Sequence, residues 1–587
     1  MISPRLAITP RLALALVLLV GLVLRADGVK WDSGQHLHPD ERYMSLVAGS
    51  VKLPSSVREY LSVRSPLNPY RTESGSALVY GTFPLNATKA VASAVGRDRF
   101  NGLEIVGRRL SSLADLATIL IVFGLGPLLA LGAGTGRTRA AWAGVAGAAA
   151  YALAPLAIQH AHFFVVDSWL TAAFGGSLLA AAHAQRAATS SRRTALVALA
   201  GALLGVALAC KLTAALFAPA VVLLAVAAAR GRGWALVLGA ASNLLLLAAS
   251  AYLALRLAAP ATFASDDWTS FALAEDLARA LEVQASAVAG GDGALNPPST
   301  QWLVSTPVLS PLLTLGAISL GPPIALAAAA GIGLAGLRAV RAARRREVAW
   351  LELALLYCTL IAGAYLVSRF VHTVRYLLPL VPLLCAAGGV ALVRLAGARR
   401  GTAVVAAAGV LATAWAFAYT AIYRAPHTRL VASEWIRDHT APGYVVAGEE
   451  WDDPLPVPSD PELRVRQLPV YVPDDEAKLR ELWEELSVAD LIVLSSARAS
   501  ATVGRLPERY PIMTRYYREL LAGRLGFTPA ARFRSRPRLA GIELPDEWAE
   551  EVTWVYDHPE VRILRRSGDL TYAEFRRRVL RSNGSVH

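Results

Sequence analysis

Long apolar stretches separated by short polar ones dominate the first 425 residues of the chain. Each stretch has roughly 17 to 25 residues, the length of a helix that crosses about 30 Å of hydrocarbon. The pattern therefore predicts a polytopic α-helical membrane protein with about eleven transmembrane helices, near residues 11–26, 110–132, 141–159, 168–185, 194–210, 212–229, 234–258, 318–337, 348–367, 377–393 and 402–423.

Basic residues occupy alternate connections between these stretches. By the positive-inside rule these connections lie in the cytoplasm, which predicts a cytoplasmic N-terminus. The net charge of +14 is largely explained by this topology, so it does not indicate a nucleic-acid partner. The basic connections contain Arg5 and Arg11, Arg137 and Arg139, Arg186 to Arg193, Arg230 and Arg232, Arg338 to Arg346, and Arg394 to Arg400.

Two connections on the predicted outer side, 27–109 and 259–317, are too long to be simple turns. Structureless loops of this length are uncommon in compact proteins unless they are functional. After Tyr423 the composition becomes that of a soluble protein, with predicted strands alternating with predicted helices. The expected organisation is a transmembrane domain at 1–425 and an extracytoplasmic α/β domain at 426–587.

The tetrad His38-Pro39-Asp40-Glu41 follows the first apolar stretch. It places two adjacent carboxylates at the membrane surface, where acidic side chains have no packing use and a charge in hydrocarbon is costly. The same residues suit the start of a helix, because proline favours the first helical position and acids favour the first turn. From these four residues alone, both interpretations stay open.

A second polar group joins the third and fourth predicted helices. His160, His162 and Asp167 lie in a connection that contains no lysine or arginine. They are either interfacial residues that end two helices, or His162 and Asp167 face the same cavity as Asp40 and orient a substrate hydroxyl or ligate a divalent ion. The lone His-x-His pair is a weak signal for a metal.

A third group on the predicted outer side is cationic. Lys211 interrupts an apolar run, and an intramembrane lysine indicates function, although it can also reach the interface from a helix end. Arg369, His372 and Arg375 lie in a short outer turn, against the positive-inside trend. Because arginine offers phosphate two parallel hydrogen bonds, Lys211 and this turn predict a phosphate-type site.

The sequence resembles the integral-membrane glycosyltransferases of the GT-C fold, in particular bacterial members of the protein mannosyltransferase and aminoarabinose transferase-like group, family 39. The resemblance covers most of residues 10–425 in order and sidedness. The motifs that carry it are His38 to Glu41, Tyr80 to Leu85, Gly107 to Leu110, His162 to Asp167, Lys211 to Thr213 and Arg375 to Leu380.

This resemblance implies an inverting hexosyl- or pentosyltransferase that moves a sugar from a polyprenyl-phosphate-type lipid donor to an acceptor hydroxyl at the outer face of the plasma membrane. It implies that Asp40 is the general base and that Glu41 supports the acceptor or tunes Asp40. Lys211 and Arg375 are expected to hold the lipid phosphate. The other residues expected to bind substrate are His38, His162, Asp167, Arg369, His372 and Tyr376.

The expected partners are the lipid donor, membrane lipids and an acceptor that is a protein, a lipid or a glycan. Metal dependence varies within the resembling group, so no cofactor is certain, and a divalent cation (Mg or Mn) between Asp40 and Asp167 is an open alternative. Two other functions also stay open. One is a transporter or flippase for lipid-linked sugars, because polar residues in membrane spans also mark transport paths. The other is a non-catalytic membrane assembly subunit.

Two polar motifs of the C-terminal region are not part of this resemblance to the transmembrane domain. They are Glu449 to Pro454 and Tyr556 to Pro559. They look like recurring elements of a bacterial subgroup, and their composition is also typical of a polar loop with an acidic cluster.

Overall fold

The structure of the protein is a computed structural model that describes residues 9–132, 134–290 and 297–580. Parts of three predicted features lie outside the described residues. They are Arg5 of the first basic segment, residues 291–296 of the second long connection, and residues 581–587 at the end of the C-terminal domain.

The chain divides into two compact units. The first contains the N-terminal helix together with His38–Ala285 and Pro311–Thr420, and the second contains Lys30–Leu37, Ser286–Ser310 and the chain from Ala421 onwards. The boundary expected between 425 and 426 stays a prediction.

All the regular elements described as far as residue 424 are helices. Proline occupies the first position of α1, α2, α7 and α15, where its missing N–H removes no helical hydrogen bond. The helices are α1 (Pro10–Ala26), α2 (Pro39–Ser50), α3 (Val57–Tyr60), α4 (Phe83–Ala94), α5 (Phe100–Gly132), α6 (Arg137–Ala152), α7 (Pro155–Ala161), α8 (Asp167–Ala184), α9 (Ser190–Cys210), α10 (Ala218–Ala227), α11 (Trp234–Ala258), α12 (Glu275–Ala289), α13 (Gln301–Val304), α14 (Leu309–Thr314), α15 (Pro322–Arg344), α16 (Trp350–Leu356), α17 (Gly363–Val367), α18 (Val381–Ala396) and α19 (Gly401–Arg424).

Seven helices among the described residues are long and apolar enough to cross a membrane, or nine if each of two bent helix pairs counts as one span. The protein is therefore a polytopic helical membrane protein, as predicted, but the count of eleven spans is not confirmed. Four predicted spans are not among the seven: two are the continuous helices α1 and α8, and the other two are broken. The span near 141–159 consists of α6 and α7, which are bent by 60°. The span near 212–229 begins as a 3-10 segment, Leu212–Phe217, and only then continues as α10.

A buried ion pair joins α1, α5 and α6. The guanidinium of Arg25 pairs with Asp115, and the Tyr151 hydroxyl donates to the other oxygen of that carboxylate. Arg25 also donates to the carbonyl oxygens of Gly21 at 3.2 Å and Ala152 at 3.0 Å. Both charges are fully buried, so removal of either would leave the other uncompensated, which is strongly destabilising.

Hydrogen bonds also join the two long polar connections of the first unit. The Ser62 hydroxyl and the Val63 amide donate to the Asp266 carboxylate at 2.9 and 2.6 Å. The Tyr60 hydroxyl donates to the Leu257 carbonyl at 2.8 Å. The segment after α1 is therefore fixed to the segment after α11.

The second unit contains the expected α/β domain. Five strands form a sheet in the order β2-β1-β3-β7-β4, in which β1, β2 and β3 run parallel and β7 is antiparallel to both of its neighbours. Apolar side chains cover both faces of the sheet. The elements are α20 (Thr428–His439), β1 (Val445–Glu449), β2 (Arg464–Leu468), α21 (Glu476–Val488), β3 (Leu491–Leu494), α22 (Arg498–Ala501), α23 (Pro511–Leu521), β4 (Phe527–Phe533), β5 (Arg538–Leu539), β6 (Ile542–Glu543), β7 (Val561–Arg566) and α24 (Tyr572–Leu580).

Candidate active site

Asp40 lies in the first turn of α2, where the tetrad does start a helix. His38 caps this helix, because its Nδ1 accepts a hydrogen bond from the Glu41 amide at 3.3 Å. The Asp40 side chain is 31% exposed. Its Oδ2 accepts two hydrogen bonds, one from the Tyr80 hydroxyl at 3.1 Å and one from the Arg375 guanidinium. The helix start and the polar site are therefore the same feature.

Arg375 bridges two carboxylates from different helices. One terminal nitrogen of its guanidinium pairs with Asp40. Its Nε and its other terminal nitrogen donate to Oδ2 of Asp167 at 2.9 and 2.6 Å. Arg375 lies in the 3-10 segment Val374–Leu380, and Asp167 is the first residue of α8. The fork of the arginine therefore fixes the start of α8 relative to the start of α2.

Lys211 completes this group from the end of α9. Its Nζ lies 3.6 Å from Oδ1 of Asp167. The same ammonium lies 4.9 Å from the ring centre of Tyr376 and 5.7 Å from that of Tyr80, within the range of cation–π attraction. We call Asp40, Tyr80, Asp167, Lys211, Arg375 and Tyr376 the Asp40 cluster.

Gly81 explains how Tyr80 reaches this position. Its amide donates to the Cys210 carbonyl at 2.9 Å, so the chain after Tyr80 lies directly against the end of α9. A Cβ at position 81 would lie 2.0 Å from the Ala209 carbonyl oxygen. Only glycine allows this approach, and the approach brings Tyr80 beside Lys211.

The electrostatics of the cluster favour an ionised Asp40. Burial raises the pKa of this carboxyl, but the charge of Arg375, together with His38 and the hydrogen bonds from Arg375 and Tyr80, holds the pKa below its usual value. Asp40 is therefore a carboxylate at neutral pH and accepts both hydrogen bonds.

Glu41, the neighbour of Asp40, lies outside the cluster. It is fully buried and accepts two hydrogen bonds from Arg108, the longer at 2.8 Å, and one from the Phe164 amide at 2.8 Å. The packing around this pair is tight, since a Cβ at Gly107 would lie 2.2 Å from the Phe164 ring. The structure thus places Glu41 in a contact between α2, α5 and the segment before α8.

For four other residues predicted from the sequence, the structure gives contacts with other groups, although His38 also acts on Asp40 through its charge. His38 lies at the cap of α2, with its ring centre 4.3 Å from that of Phe163. Each ring nitrogen of His162 lies 2.8 Å from a carbonyl oxygen, of Ile158 or of Asp27. His372 approaches the carbonyl oxygen of Phe370 at 2.7 Å, and the Arg369 guanidinium lies 4.3 Å from the Tyr365 ring centre.

Two residues near the cluster were not predicted as site residues. Tyr80 belongs to a motif of the resemblance, but a single tyrosine carries no distinctive sequence signal. His160 interacts electrostatically with Asp167, Lys211 and Arg375, while its Nδ1 lies 2.9 Å from the Leu156 carbonyl oxygen. Its place in the His-x-His pair was the available signal. Both histidines contact backbone carbonyls, and His160 also interacts electrostatically with Asp167, Lys211 and Arg375.

The structure also contains an apolar groove of about 510 Å³. Side chains of α5, α8 and α9 line it, together with Phe83 at the start of α4. On α8 the lining runs from Trp169, two residues after Asp167, to His183 near the end of the helix. The lining positions recur every three or four residues, so the groove follows one face of α8, and Asp167 lies on the opposite face.

No protein-family model and no curated protein matches the sequence. Among solved structures, the chain is similar to the oligosaccharyltransferase AglB of Archaeoglobus fulgidus in complex with an inhibitory peptide and a dolichol-phosphate, with a TM-score of 0.48 and 14% identity over 86% of this chain and 72% of that one. It is similar to ArnT of Cupriavidus metallidurans bound to undecaprenyl phosphate, with a TM-score of 0.39 and 20% identity over 70% and 68% of the two chains.

A further similarity is to the mycobacterial arabinofuranosyltransferase AftD, with a TM-score of 0.38 and 16% identity over 96% of this chain and 42% of that one. All three similarities agree with the GT-C resemblance seen in the sequence. Because the TM-scores are below 0.5, we carry no residue role over from them, and the function proposed below rests on the geometry of this chain.

A divalent cation fits the cluster poorly. Arg375 already bridges Asp40 and Asp167, the two residues expected to ligate it. Within 9–132, 134–290 and 297–580, no group of three or more histidine, cysteine, aspartate or glutamate side chains is arranged to hold a metal ion. A cation between the two aspartates would have to displace the guanidinium, so we derive no step through a metal.

Proposed function

We propose that the protein is an inverting glycosyltransferase that moves a sugar from a polyprenyl-phosphate-type donor to an acceptor hydroxyl. The observation that carries this proposal is the Asp40 cluster. A partly exposed carboxylate and two cations meet there, and an apolar groove runs along the neighbouring helix α8. Those are the groups that a base, an anionic leaving group and a lipid chain require.

The groove is the proposed position of the isoprenoid chain. From Trp169 to His183, α8 rises about 21 Å at about 1.5 Å per residue, which is long enough for several isoprene units. Its lining is almost wholly apolar, and His183 is the titratable side chain in it. Trp169 and Phe83 line the groove near the start of α8, and the proposal requires the lipid phosphate to pass from there round the start of the helix to Lys211 and Arg375.

The reaction then needs one base and one anion site. The acceptor oxygen attacks the anomeric carbon, and its proton passes to the Asp40 carboxylate. The bond between the anomeric carbon and the phosphate oxygen breaks, and its electron pair leaves with the phosphate. Lys211 and Arg375 stabilise the charge that develops there. The products are an inverted glycoside and free polyprenyl phosphate.

Arg375 gives this scheme a built-in order. Without donor it holds Asp40 as well as Asp167, and a carboxylate with a lowered pKa is a weak base. An incoming phosphate competes for the same guanidinium and loosens its hold on Asp40. Asp40 thus becomes an effective base only when the donor is bound. Asp167 keeps Arg375 and Lys211 in place, and Glu41 positions α2 through Arg108.

The decisive experiment measures both products with Asp40→Asn. Purified protein in lipid vesicles is given polyprenyl-linked radioactive sugar and a membrane extract as acceptor. We expect the variant to insert normally but to lose both glycoside formation and release of free polyprenyl phosphate. Asp98→Asn is the matched control, because Asp98 is 45% exposed and pairs with Lys89 away from the cluster. Retained transfer by Asp40→Asn would contradict the assignment of the base.

The same assay distinguishes the other two functions considered from the sequence. A flippase moves the donor across the membrane but leaves its sugar–phosphate bond intact, so wild-type protein would release no free lipid phosphate. An assembly subunit would show neither release nor any effect of Asp40→Asn on the cellular phenotype.

We further propose that the cluster and the C-terminal domain face the outside of the plasma membrane, with the N-terminus in the cytoplasm. Cysteine labelling tests this orientation, because the three native cysteines are buried. Val488, which is 48% exposed, and Arg345 in a basic connection are each replaced by cysteine. On intact cells, a membrane-impermeant maleimide should label Val488→Cys and not Arg345→Cys; the reverse pattern would invert the topology.

A further inference from the structure

The carboxyl ends of β1 and β3 in the C-terminal domain have the topology of a ligand site. The two strands are parallel neighbours. The chain leaves β1 towards β2 on one side and leaves β3 towards β4 on the other side of the sheet. In open α/β sheets, ligands bind outside the carboxyl ends of the strands where the connections diverge in this way.

Near this edge, three side chains carry buried polar oxygens that lack partners among the described residues. Glu449, the last residue of β1, is 3% exposed, and one of its oxygens accepts a hydrogen bond from Tyr517. Its Oε2 and the hydroxyls of Tyr471 and Tyr516 have no hydrogen-bond partner within the described part of the chain. Both tyrosines interact electrostatically with Glu449. Unsatisfied buried polar groups are costly, and several at one place indicate a ligand.

Trp451 follows two residues after Glu449 and is held in an unusual way. Its φ is +63°, a left-handed conformation that is unfavourable for a residue with a bulky side chain. Its indole is 58% exposed. Its carbonyl accepts a hydrogen bond from Arg498 at 3.1 Å, and the next residue, Asp452, pairs with Arg429 at 2.6 Å. The surroundings thus impose a strained backbone to present an aromatic face to solvent, a typical sign of function.

We propose that Glu449, Trp451, Tyr471 and Tyr516, the Glu449 cluster, bind a sugar ring. The indole of Trp451 provides an apolar face against which the C–H groups of a pyranose stack. Glu449 and the two tyrosine hydroxyls provide donors and acceptors for sugar hydroxyls. One aromatic face combined with several buried groups that can hydrogen-bond to hydroxyls suits a neutral polyol better than a charged or purely apolar ligand. The site belongs to the C-terminal domain and does not rest on the transfer reaction proposed above.

The protonation of Glu449 is consistent with this assignment. Burial raises the pKa of its carboxyl to about 8, so the group is mostly neutral at pH 7. A neutral carboxylic acid has one O–H donor as well as acceptor oxygens. It therefore pairs with a sugar hydroxyl without burying a charge.

Saturation-transfer NMR with the full chain tests the site. The protein is placed in lipid nanodiscs, because glycoside detergents would compete, and is probed with methyl α-mannoside, methyl α-glucoside and methyl β-galactoside. We expect at least one glycoside to show transfer. Trp451→Gly should weaken its affinity by about tenfold or more, equivalent to about 1.4 kcal/mol. Glu449→Gln and Tyr471→Phe should each weaken it several-fold.

Two controls keep the result interpretable. Trp548→Ala removes an indole of similar exposure, 56%, from another loop and should leave binding unchanged. Trp451→Gly should also keep or raise the melting temperature, because glycine tolerates positive φ. Absence of transfer from all three glycosides, or equal loss in Trp451→Gly and Trp548→Ala, would overturn the proposal and leave these polar groups to ordered water. Absence of glycoside binding by the wild-type protein together with intact transferase activity would refute the Glu449 cluster alone.

Discussion

Asp40 and Glu41 are adjacent residues on one helix, each is paired with an arginine, and the two pairs are built for opposite purposes. Glu41 is fully buried and is bound to a single guanidinium and a backbone amide. Asp40 is partly exposed and shares Arg375 with a second carboxylate. The first pair is saturated and rigid, whereas the second has a cation that an anionic ligand can recruit. In the proposed reaction, two properties distinguish Asp40 from the structural carboxylate Glu41. Its side chain is exposed to solvent, and its arginine also binds a second carboxylate.

The largest effect on transfer is expected when the two carboxylates are neutralised one at a time. Asp40→Asn should lower kcat by about 10² to 10⁴-fold, the usual contribution of a general base, with little change in thermal stability. Glu41→Gln should instead lower the stability by about 3–5 kcal/mol, because it leaves the charge of Arg108 buried and uncompensated. It should change kcat per folded molecule little. Melting temperature and kcat per folded molecule are measured in the same vesicles. A Glu41→Gln protein that is stable but inactive would show instead that Glu41 takes part in the reaction.

A smaller effect is expected at the two arginines. Arg375→Lys keeps the charge but loses the fork that reaches Asp40 and Asp167 together, so the KM for the lipid donor should rise about tenfold. Arg108→Lys should lower the melting temperature and leave that KM unchanged. If instead both variants change the donor KM equally, the contrast between a shared and a saturated arginine does not hold.

A substitution in the apolar groove along α8 should change the donor KM by an amount that depends on the length of the donor's isoprenoid chain. Ala172 lines the groove on α8 and is half-buried. Ala172→Phe should raise KM several-fold for a donor with a full-length isoprenoid chain and have little effect on a donor of two isoprene units. Ala407→Phe, on an exposed face of α19, is the matched control. An equal change for both donor lengths would place the lipid chain elsewhere.

The smallest effect on transfer is expected from changes to a buried ion group of the C-terminal domain. His558 lies between Asp546, at 2.8 Å, and Asp557. Although burial opposes the charge, the two carboxylates raise the pKa of its imidazole to about 10. The unfolded value is about 6.5, so the stabilisation is complete below about pH 6.5 and is lost as the pH rises towards 10.

The melting temperature of the C-terminal domain should therefore fall between about pH 6.5 and 10, while transfer at neutral pH stays the same. His558→Gln should remove most of this pH dependence and lower the melting temperature at pH 6.5. If the wild-type profile is flat over this range, His558 is not held as a cation.

Much of the Asp40 cluster was predictable, because charges are rare in apolar sequence and each one is conspicuous. Asp40, Asp167, Lys211, Arg375 and Tyr376 were predicted and are brought together. Tyr80 was not, because its position depends on the contact of Gly81 with the end of α9. The roles given to these residues stay predictions until they are tested.

The substrate-binding roles predicted for three histidines stay predictions. His38, His162 and His372 belong to the same short segments as cluster residues, yet the described contacts tie them to backbone groups. Sequence spacing places residues in a segment but does not decide which way a side chain points at a helix end. The same uncertainty affects the count of spans, because apolar composition does not show where a helix bends.

The sequence by itself determined that this is a polytopic helical membrane protein with a C-terminal α/β domain, because hydrophobic length and periodicity are local properties of the chain. It also determined which charged residues needed an explanation. Only the tertiary structure decided that Arg375 bridges Asp40 and Asp167, that Glu41 is bound to Arg108, and that buried oxygens of Glu449, Tyr471 and Tyr516 lack a hydrogen-bond partner among the described residues. These pairings join residues up to 335 positions apart, and which groups meet over such separations is set by helix packing.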